Sequence, residues 1–203
     1  MIFLIYYIIF TVLSYLLGSF NAATIISKFF YGKDIRNAGS GNAGATNALR
    51  ILGKKAAATV FVFDFLKGFF AVISARFFVN YFNAPEVCIF TAGFLTQLGH
   101  CFPIYFKFRG GKGVATAAGA AIGIMPFVAL ILLAVFAFIV IISKTVSLAS
   151  GICAVIYPLL AYFMTNSKLN FMFAAACSVL IIIMHASNFA RLIDGNEKPI
   201  SYK

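Results

Sequence analysis

The sequence predicts an all-α polytopic membrane protein, a bundle of seven transmembrane helices formed by a single domain that covers residues 1–203. Three observations support this fold class. Hydrophobic residues make up 63% of the chain and charged residues only 10%, and the mean hydropathy is +1.00, far above that of a soluble domain. Apolar segments of membrane-spanning length recur along the chain. No proline-rich or serine-rich linker separates them, so we expect one compact unit.

Most of the helices can be assigned directly from hydropathy. Single spans are predicted at residues 2–27, 55–78, 87–105, 145–164 and 169–189. The first of these has neither a positively charged leading region nor an A-x-A cleavage site, so we interpret it as a retained helix. The cysteines lie in apolar stretches without C-x-x-C spacing, and we expect them to be buried, reduced thiols.

Residues 114–142 could form one long kinked helix or two short helices that turn near Pro126. With two helices, Arg76 and Lys168 are the only loop cations on the outer side, whereas one helix would move Lys144 and the tail cations outward. Because cytoplasmic loops carry the excess of positive charge, we favour two helices, with the N-terminus outside and the C-terminus in the cytoplasm. The first of these two helices, which begins at Val114, rises only about 18 Å over about 12 residues, less than the hydrocarbon core of about 30 Å. Its alanines and glycines suit packing against other helices.

Two glycine-rich loops on the predicted cytoplasmic face have the composition of a phosphate site. Residues 39–47 read GSGNAGATN and residues 110–113 read GGKG. Glycine lets a ligand reach main-chain N–H groups, and a lysine neutralises the phosphate charge. We therefore expect one anion site with contacts from Gly39, Ser40, Gly41, Asn42, Gly44, Thr46, Asn47, Arg50, Gly110, Gly111 and Lys112.

The net charge of +11 has a simpler explanation for the cations that lie away from these loops. Attraction to anionic lipid headgroups accounts for Lys54, Lys55 and Lys203 without any ligand. For Arg50 and Lys112, which lie beside the glycine-rich loops, we expect ligand contact.

The end of the last predicted span adds polar side chains. His185 and Asn188 are three residues apart and share a helical face, which Arg191 extends. Glu197, in the tail, fits either a carboxylate that ties the loop or a contact to a substrate hydroxyl.

Ionisable residues within the predicted spans are interpreted as structural. Asp64 and Lys67 are also three residues apart, and burial of charge in a membrane favours a mutual ion pair that stabilises the bundle. His100, at the end of a span, is interpreted as a structural hydrogen-bonding residue.

The motifs of several common chemistries are missing from the sequence. There is no H-E-x-x-H, no G-x-S-x-G, no P-loop and no metal-binding spacing, so we expect neither a metal nor a cofactor. Tyr105 and Ala190 stand where an H-x-x-x-x-D acyltransferase would have aspartate. A site without a dedicated base fits an activated substrate such as an acyl phosphate.

A transporter of a phosphorylated solute would need polar groups on both faces, and a lipid-binding scaffold would leave the glycine loops unexplained.

Three runs of sequence resemble the cytoplasmic motifs of the bacterial acyl-phosphate:glycerol-3-phosphate acyltransferases. They are GSFNAATIISK with DIRNAGSGNAGATNALR, GHCFPIYFKFRGGKGVAT, and HASNFARLIDGNEK. The likeness covers nearly the whole chain in length, motif order and hydropathy. It implies a seven-helix enzyme of the bacterial inner membrane with its active site on the cytoplasmic face. The implied reaction moves a fatty acyl group from acyl phosphate to the 1-hydroxyl of glycerol 3-phosphate, which gives lysophosphatidate and inorganic phosphate for phospholipid biosynthesis.

The resemblance also assigns residues and partners. The positions around the two phosphates match Ser40, Arg50, Lys112, Ser150, His185 and Asn188, of which we take Lys112, His185 and Asn188 as catalytic. The expected partners are acyl phosphate, glycerol 3-phosphate and membrane lipids, with no nucleic acid, and we expect a monomer. Two departures stand out. Gly18-Ser19-Phe20-Asn21 replaces the usual GSIP and so lacks its proline, and Arg109 replaces a lysine.

Overall fold

The computed structural model describes residues 2–200, and all the regular secondary structure in this part of the chain is helical. The helices are α1 (Ile2–Ser19), α2 (Ala22–Tyr31), α3 (Ala45–Leu52), α4 (Lys54–Phe82), α5 (Val87–Cys101), α6 (Val114–Ile124), α7 (Pro126–Ser143), α8 (Val146–Thr165), α9 (Lys168–Met184) and α10 (Ala186–Ile193), with short 3-10 helices at Ile35–Asn37 and Ile104–Phe106. Lys203 lies outside the described residues. The predicted all-α class is confirmed.

Helix length and composition identify the candidate membrane spans. Four segments of the described chain qualify on their own: α4, α5 with the 3-10 turn that follows it, α7 and α8. The pairs α1–α2 and α9–α10 qualify only when joined, and their axes bend by 43° and 60°, so the described residues offer four to six spans. The helix α6 is apolar but has only 11 residues.

The span predicted over residues 2–27 is a bent pair of helices, because the chain breaks between α1 and α2. Asn21 caps α2 by accepting a hydrogen bond from the Thr24 amide at 2.9 Å. Its side-chain amide also donates to the carbonyl of Ala43 at 3.1 Å, in the first glycine-rich loop. An asparagine cap therefore produces a break here without the proline of the family motif.

The span predicted over residues 169–189 is also bent, because α9 ends and α10 begins at His185. The His185 ring nitrogen Nδ1 is hydrogen bonded to the carbonyl of Ile181 at 2.8 Å, and that carbonyl also accepts from the His185 amide. The His185 side chain and the His185 amide thus compete for one carbonyl acceptor. Such competition between a side chain and the backbone favours the end of a helix. Hydropathy contains no signal for this contact.

The two-helix interpretation of residues 114–142 is confirmed. Met125 has non-helical backbone angles (φ −135°, ψ 71°), and Pro126 occupies the first position of α7. The short helix α6 packs closely on α4: a Cβ atom at Gly119 would lie 1.9 Å from the carbonyl oxygen of Phe65. Glycine permits this backbone contact, as the composition of α6 suggested.

Hydrogen bonds between distant segments gather the polar loops at one end of the bundle. The Ile200 amide donates to the carbonyl of Lys144 at 2.7 Å, and Arg50 donates to the carbonyl of Lys198 at 3.0 Å. The tail therefore lies against both α3 and the turn between α7 and α8. The main apolar core lies farther along the helices and includes residues of α4 to α9, such as Val72 and Phe173.

Candidate active site

A cavity of about 230 Å³ opens at the polar end of the bundle. It lies between the first glycine loop (residues 39–47), the start of α6, and the segment formed by α10 and the tail. The predicted site residues that line it are Ser40, Asn42, Gly44, Thr46, Asn47, Arg50, Lys112, His185 and Asn188. Two glycine loops and the last helix, which are far apart in the sequence, thus meet at one cavity.

The first glycine loop is shaped by the side chain of Asn47. Its Oδ1 accepts a hydrogen bond from the Ser40 amide at 3.0 Å, and its Nδ2 donates to the carbonyls of Ile35 and Ala38 at 3.1 and 3.0 Å. Gly39 has a positive φ of 64°, and a Cβ atom there would lie 2.2 Å from Asn47 Oδ1. Asn47 borders the cavity, but its hydrogen bonds go to the loop itself.

The second glycine loop (residues 110–113) rests with its backbone directly on the end of α5. The Gly111 amide donates to the carbonyl of His100 at 3.1 Å. A Cβ atom at Gly110 would lie 2.1 Å from that carbonyl oxygen, and one at Gly111 would lie 2.1 Å from His100 Nε2. Neither glycine is among the cavity-lining residues. Their absent side chains allow the close packing that directs Lys112 into the cavity.

Lys112 begins a network of hydrogen bonds that reaches the tail. Its ammonium donates to Asn188 Oδ1, and the Asn188 amide donates to Glu197 Oε1. Glu197 also accepts from the Ser147 hydroxyl at 2.9 Å and from Arg191 Nε at 2.8 Å. Burial alone would raise the pKa of Glu197, but the hydrogen bonds from Asn188, Ser147 and Arg191 hold this pKa below its ordinary value. Glu197 is therefore an ionised carboxylate that ties the tail to α8 and α10.

Burial also affects the ammonium of Lys112, because loss of hydration disfavours a charged group. It lowers the pKa of Lys112 to about 8, an effect that Glu197 opposes and that Arg191 and Arg50 reinforce. The side chain is therefore still protonated at neutral pH, and it carries its charge with less surrounding water than a surface lysine.

The tautomer of His185 follows from its partner. A carbonyl oxygen can only accept, so Nδ1 carries the hydrogen in its contact with Ile181, and Nε2 of the neutral ring is left as an acceptor. The ring is stacked against Phe189, with centroids 5.8 Å apart.

Ser150 differs from the other predicted site residues. It is buried in α8, its hydroxyl donates to the carbonyl of Val146 at 2.9 Å, and it does not border the cavity. Ser147, one turn earlier, makes the contact to Glu197 instead. Gly39, Gly41, Gly110 and Gly111 are also not among the cavity-lining residues. The catalytic and binding roles of all the predicted site residues, whether or not they border the cavity, stay predictions.

Sequence analysis interpreted two of the cavity residues, Asp64 and His100, as purely structural. Asp64 and Lys67 form the expected ion pair at 2.9 Å, but His100 Nδ1 joins them, at 2.9 Å from Lys67 Nζ, and both Asp64 and His100 border the cavity. The available signal was the position of His100, ten residues before Gly110 in the same motif.

The fold and the cavity together define a class of protein: a helical membrane protein with a polar, cation-bearing cavity at one end of its bundle. The family model described as "Glycerol-3-phosphate acyltransferase" matches residues 8–195. The chain belongs to the glycerol-3-phosphate acyltransferase family, which acts in phospholipid biosynthesis.

Individual relatives are similar over nearly their whole length. The glycerol-3-phosphate acyltransferase of Thermoanaerobacter sp. (strain X514) is 40% identical over 198 residues, which is 98% of each chain. That of Staphylococcus aureus (strain bovine RF122 / ET3-1) is 41% identical over 202 residues, 96% of this chain and 98% of the relative.

Solved structures of one member of the family have the same fold. The crystal structure of PlsY (YgiH), an integral membrane glycerol 3-phosphate acyltransferase, in its glycerol 3-phosphate form has a TM-score of 0.88 at 38% identity and 96% coverage of both chains. The lysophosphatidic acid form has a TM-score of 0.84 at 36% identity, covering 95% of this chain and 94% of that one. The resemblance noted from the sequence motifs is confirmed at the level of the family.

Proposed function

We propose that this protein transfers a fatty acyl group from an acyl phosphate to the 1-hydroxyl of glycerol 3-phosphate, releasing lysophosphatidate and inorganic phosphate, at the cytoplasmic face of a bacterial inner membrane and without a cofactor. One observation carries the proposal: Lys112 and Arg50 line the same cavity as the first glycine loop. Two cations that border one cavity beside a glycine-rich loop suit two phosphorylated reactants. A related enzyme was crystallised in forms named for glycerol 3-phosphate and lysophosphatidic acid.

The absence of a nucleophile with its base supports acyl phosphate as the donor. Within residues 2–200, no hydrogen bond joins a serine, threonine or cysteine side chain to either histidine. Formation of a covalent acyl-enzyme requires such an activated nucleophile. A donor with a good leaving group removes that need, because the acceptor hydroxyl can attack the acyl carbon directly.

The proposed step is a single acyl transfer. The glycerol 1-oxygen forms an ester bond to the acyl carbon while the bond from that carbon to the phosphate oxygen breaks. Lys112 and Arg50 stabilise the negative charge of the departing phosphate. Orientation of the two bound reactants is the main contribution, since it can be worth about 7 to 11 kcal/mol.

The remaining roles concern the acyl carbonyl and the hydroxyl proton. Asn188 donates one amide hydrogen to Glu197, and its second N–H is assigned to the acyl carbonyl. The proton of the attacking hydroxyl goes to a phosphate oxygen of the substrate or to His185 Nε2. The family resemblance favours the phosphate oxygen, and the two carboxylates that border the cavity, those of Asp64 and Glu197, are each held in an ion pair.

The proposal includes a topology of seven crossings with the N-terminus outside. It counts the four single spans, the two bent pairs and α6. The hydrogen bond from Ile200 to Lys144 supports it, because the tail then lies on the same side as the two glycine loops. Labelling of a cysteine introduced near position 200 with a membrane-impermeant thiol reagent tests this topology. Labelling from the outside of intact cells would contradict it.

A direct assay tests the reaction. Purified protein is incubated with palmitoyl phosphate and glycerol 3-phosphate, and lysophosphatidate and inorganic phosphate are measured, with palmitoyl-CoA as the control donor. We expect equal amounts of both products from palmitoyl phosphate and none from palmitoyl-CoA. Product formation from the CoA ester alone would overturn the proposed donor, and formation of neither product would favour transport or lipid binding.

A further inference from the structure

A buried cluster of three ionisable side chains lies at the base of the two glycine loops. Lys67 Nζ is 2.9 Å from Asp64 Oδ1 and 2.9 Å from His100 Nδ1, and His100 Nδ1 is 3.3 Å from Asp64 Oδ1. The exposed fraction of each residue is at most 7%. The cluster joins α4 to the end of α5.

Lys67 connects this cluster to the first glycine loop. Its ammonium donates to the carbonyls of Gly18 and Phe20 at 3.0 and 2.9 Å, which lie at the break between α1 and α2. Carbonyls at the end of a helix lack intrahelical partners, and Lys67 satisfies them. The next residue, Asn21, holds the carbonyl of Ala43. Lys67, a residue of α4, therefore holds the break between α1 and α2 in place. It thereby also positions Asn21, which anchors the first loop.

His100 connects the cluster to the second glycine loop. The carbonyl of His100 accepts from the Gly111 amide, and its ring lies against the Cα of the same residue. A Cβ atom at Gly111 would also lie 2.7 Å from the carbonyl oxygen of Ala43. The two loops therefore contact each other beside the His100 ring, at Ala43 and Gly111. Lys112 is the residue that follows Gly111.

A gain in stability does not account for such a cluster. Replacing a buried ion pair with well-packed apolar residues is often neutral or stabilising. The arrangement is explained better by what it holds in place, namely the contact between the two loops and the direction of Lys112.

We propose that Asp64, Lys67 and His100 are positioning residues that fix the two glycine loops relative to each other and so set the binding of glycerol 3-phosphate. This inference rests on the proposed function. It predicts that loss of the cluster weakens substrate binding beyond any loss of stability.

The test compares variants that leave no charge unpaired. His100→Asn keeps a polar atom near the Nδ1 position but removes the ring beneath Gly111, and the double variant Asp64→Asn/Lys67→Met removes both charges together. For each, kcat and KM for glycerol 3-phosphate are measured with palmitoyl phosphate, together with the thermal unfolding temperature in detergent. We expect kcat/KM to fall by about 100-fold, the effect of a misplacement of about 1 Å, with most of the change in KM.

Arg76→Met is the matched control. Arg76 lies on the same helix, about 13 Å from Lys67 along its axis, and also donates to carbonyls at the end of a helix, those of Gly123 and Ile124 at 3.1 and 3.3 Å. We expect it to lower the unfolding temperature while KM changes less than about twofold, since it does not border the cavity.

The outcomes separate this inference from the reaction itself. Parental KM and kcat in His100→Asn would overturn the positioning role, even if the double variant did not fold. An equal rise of KM in Arg76→Met would overturn it as well, because the effect would then follow stability. A parent protein that forms no lysophosphatidate would overturn the proposed function instead.

Discussion

The two glycine loops reach the same cavity, but Gly41 in the first loop and Gly111 in the second are required for different reasons. In the first loop, Gly39 and Gly41 have positive φ angles of 64° and 71°, and the side chain of Asn47 ties the turn together. In the second loop, Gly110 and Gly111 are absent from the residues with positive φ, and it is close packing on His100 that excludes a side chain. Gly41 of the first loop is therefore required for its backbone angle, and Gly110 and Gly111 of the second loop are required for space. Gly39 and Gly113 combine both constraints, since each has a positive φ and a neighbouring side chain that a Cβ atom would overlap.

This difference determines how each loop should respond to substitution. Strain at a positive φ can be relieved by a small local adjustment, whereas a Cβ atom that overlaps backbone atoms requires the whole segment to move. The second loop also carries the only titratable side chain of the two, Lys112. Changes there should affect catalysis strongly, and changes in the first loop should act more mildly.

Removal of the Lys112 ammonium should have the largest effect. In Lys112→Ala, kcat/KM should fall by about 10³-fold, as expected for loss of one donor that stabilises developing charge. Thermal unfolding should change little, because the side chain ends at a cavity. The control is Arg109→Ala, which removes an exposed cation three residues before Lys112 and should retain activity within about threefold. Equal losses in both variants would mean that net charge, not the position of Lys112, matters.

The next largest effect should follow Gly111→Ala. The new Cβ atom would lie 2.1 Å from His100 Nε2 and 2.7 Å from the carbonyl oxygen of Ala43, so the loop must shift. We expect kcat/KM to fall by about 100-fold, as for a misplacement of about 1 Å. The assay is steady-state turnover with both substrates varied. Normal kinetics would show that the second loop tolerates movement and that its glycines are not required for space.

Asn47→Ala tests the tie of the first loop. It removes three hydrogen bonds and leaves the Ser40 amide unpaired, while the carbonyls of Ile35 and Ala38 keep their backbone donors. This loss should lower the free energy of unfolding by about 1 to 3 kcal/mol and raise KM for the substrates by about tenfold. Ser40→Ala keeps the amide and removes only the hydroxyl. If the two variants behave alike, the Ser40 hydroxyl, not the loop shape, is what the substrate requires.

The parts of the fold that could be predicted from the sequence are the helices marked by high hydropathy and the helix boundary marked by a proline. Pro126 correctly indicated the division of residues 114–142 into α6 and α7. The breaks at Asn21 and His185 were missed, because each depends on a polar side chain that bonds to the backbone within an otherwise apolar stretch. Hydropathy cannot distinguish such a residue from one that continues the helix.

The site was predictable where composition alone marks it. Glycine-rich loops beside Lys112 and Arg50 indicated an anion site, and both cations do border the cavity. The resemblance assigns Ser150, whereas the side chain that contacts Glu197 is Ser147, one turn earlier on α8. The contact of His100 with Asp64 joins residues 36 positions apart on two helices. Contacts of that kind follow from packing, which has no local sequence pattern.

The pH dependence sharpens the contrast between the loops, because only the second loop can lose a charge. The pKa of Lys112 is lowered to about 8, so the ammonium is present below that pH and is lost as the pH rises through it. We expect kcat/KM to fall by about tenfold per pH unit above pH 8, since this parameter reports groups of the free enzyme. Lys112→Arg, whose guanidinium stays protonated, should remove this limb from the profile. An unchanged profile would assign the limb to another group.

The smallest effect is expected for Gly41→Ala, the counterpart of Gly111→Ala in the first loop. Gly41 has a φ of 71°, but a Cβ atom there would meet only the carbonyl oxygen of Arg36, at 3.3 Å. The strain of a left-handed alanine should lower the free energy of unfolding by about 1 to 2 kcal/mol. Because Gly41 is exposed and does not border the cavity, kcat/KM should change by less than about threefold. A loss as large as that of Gly111→Ala would mean that the first loop must keep its backbone amides in place as strictly as the second, and the distinction between angle and space would then fail.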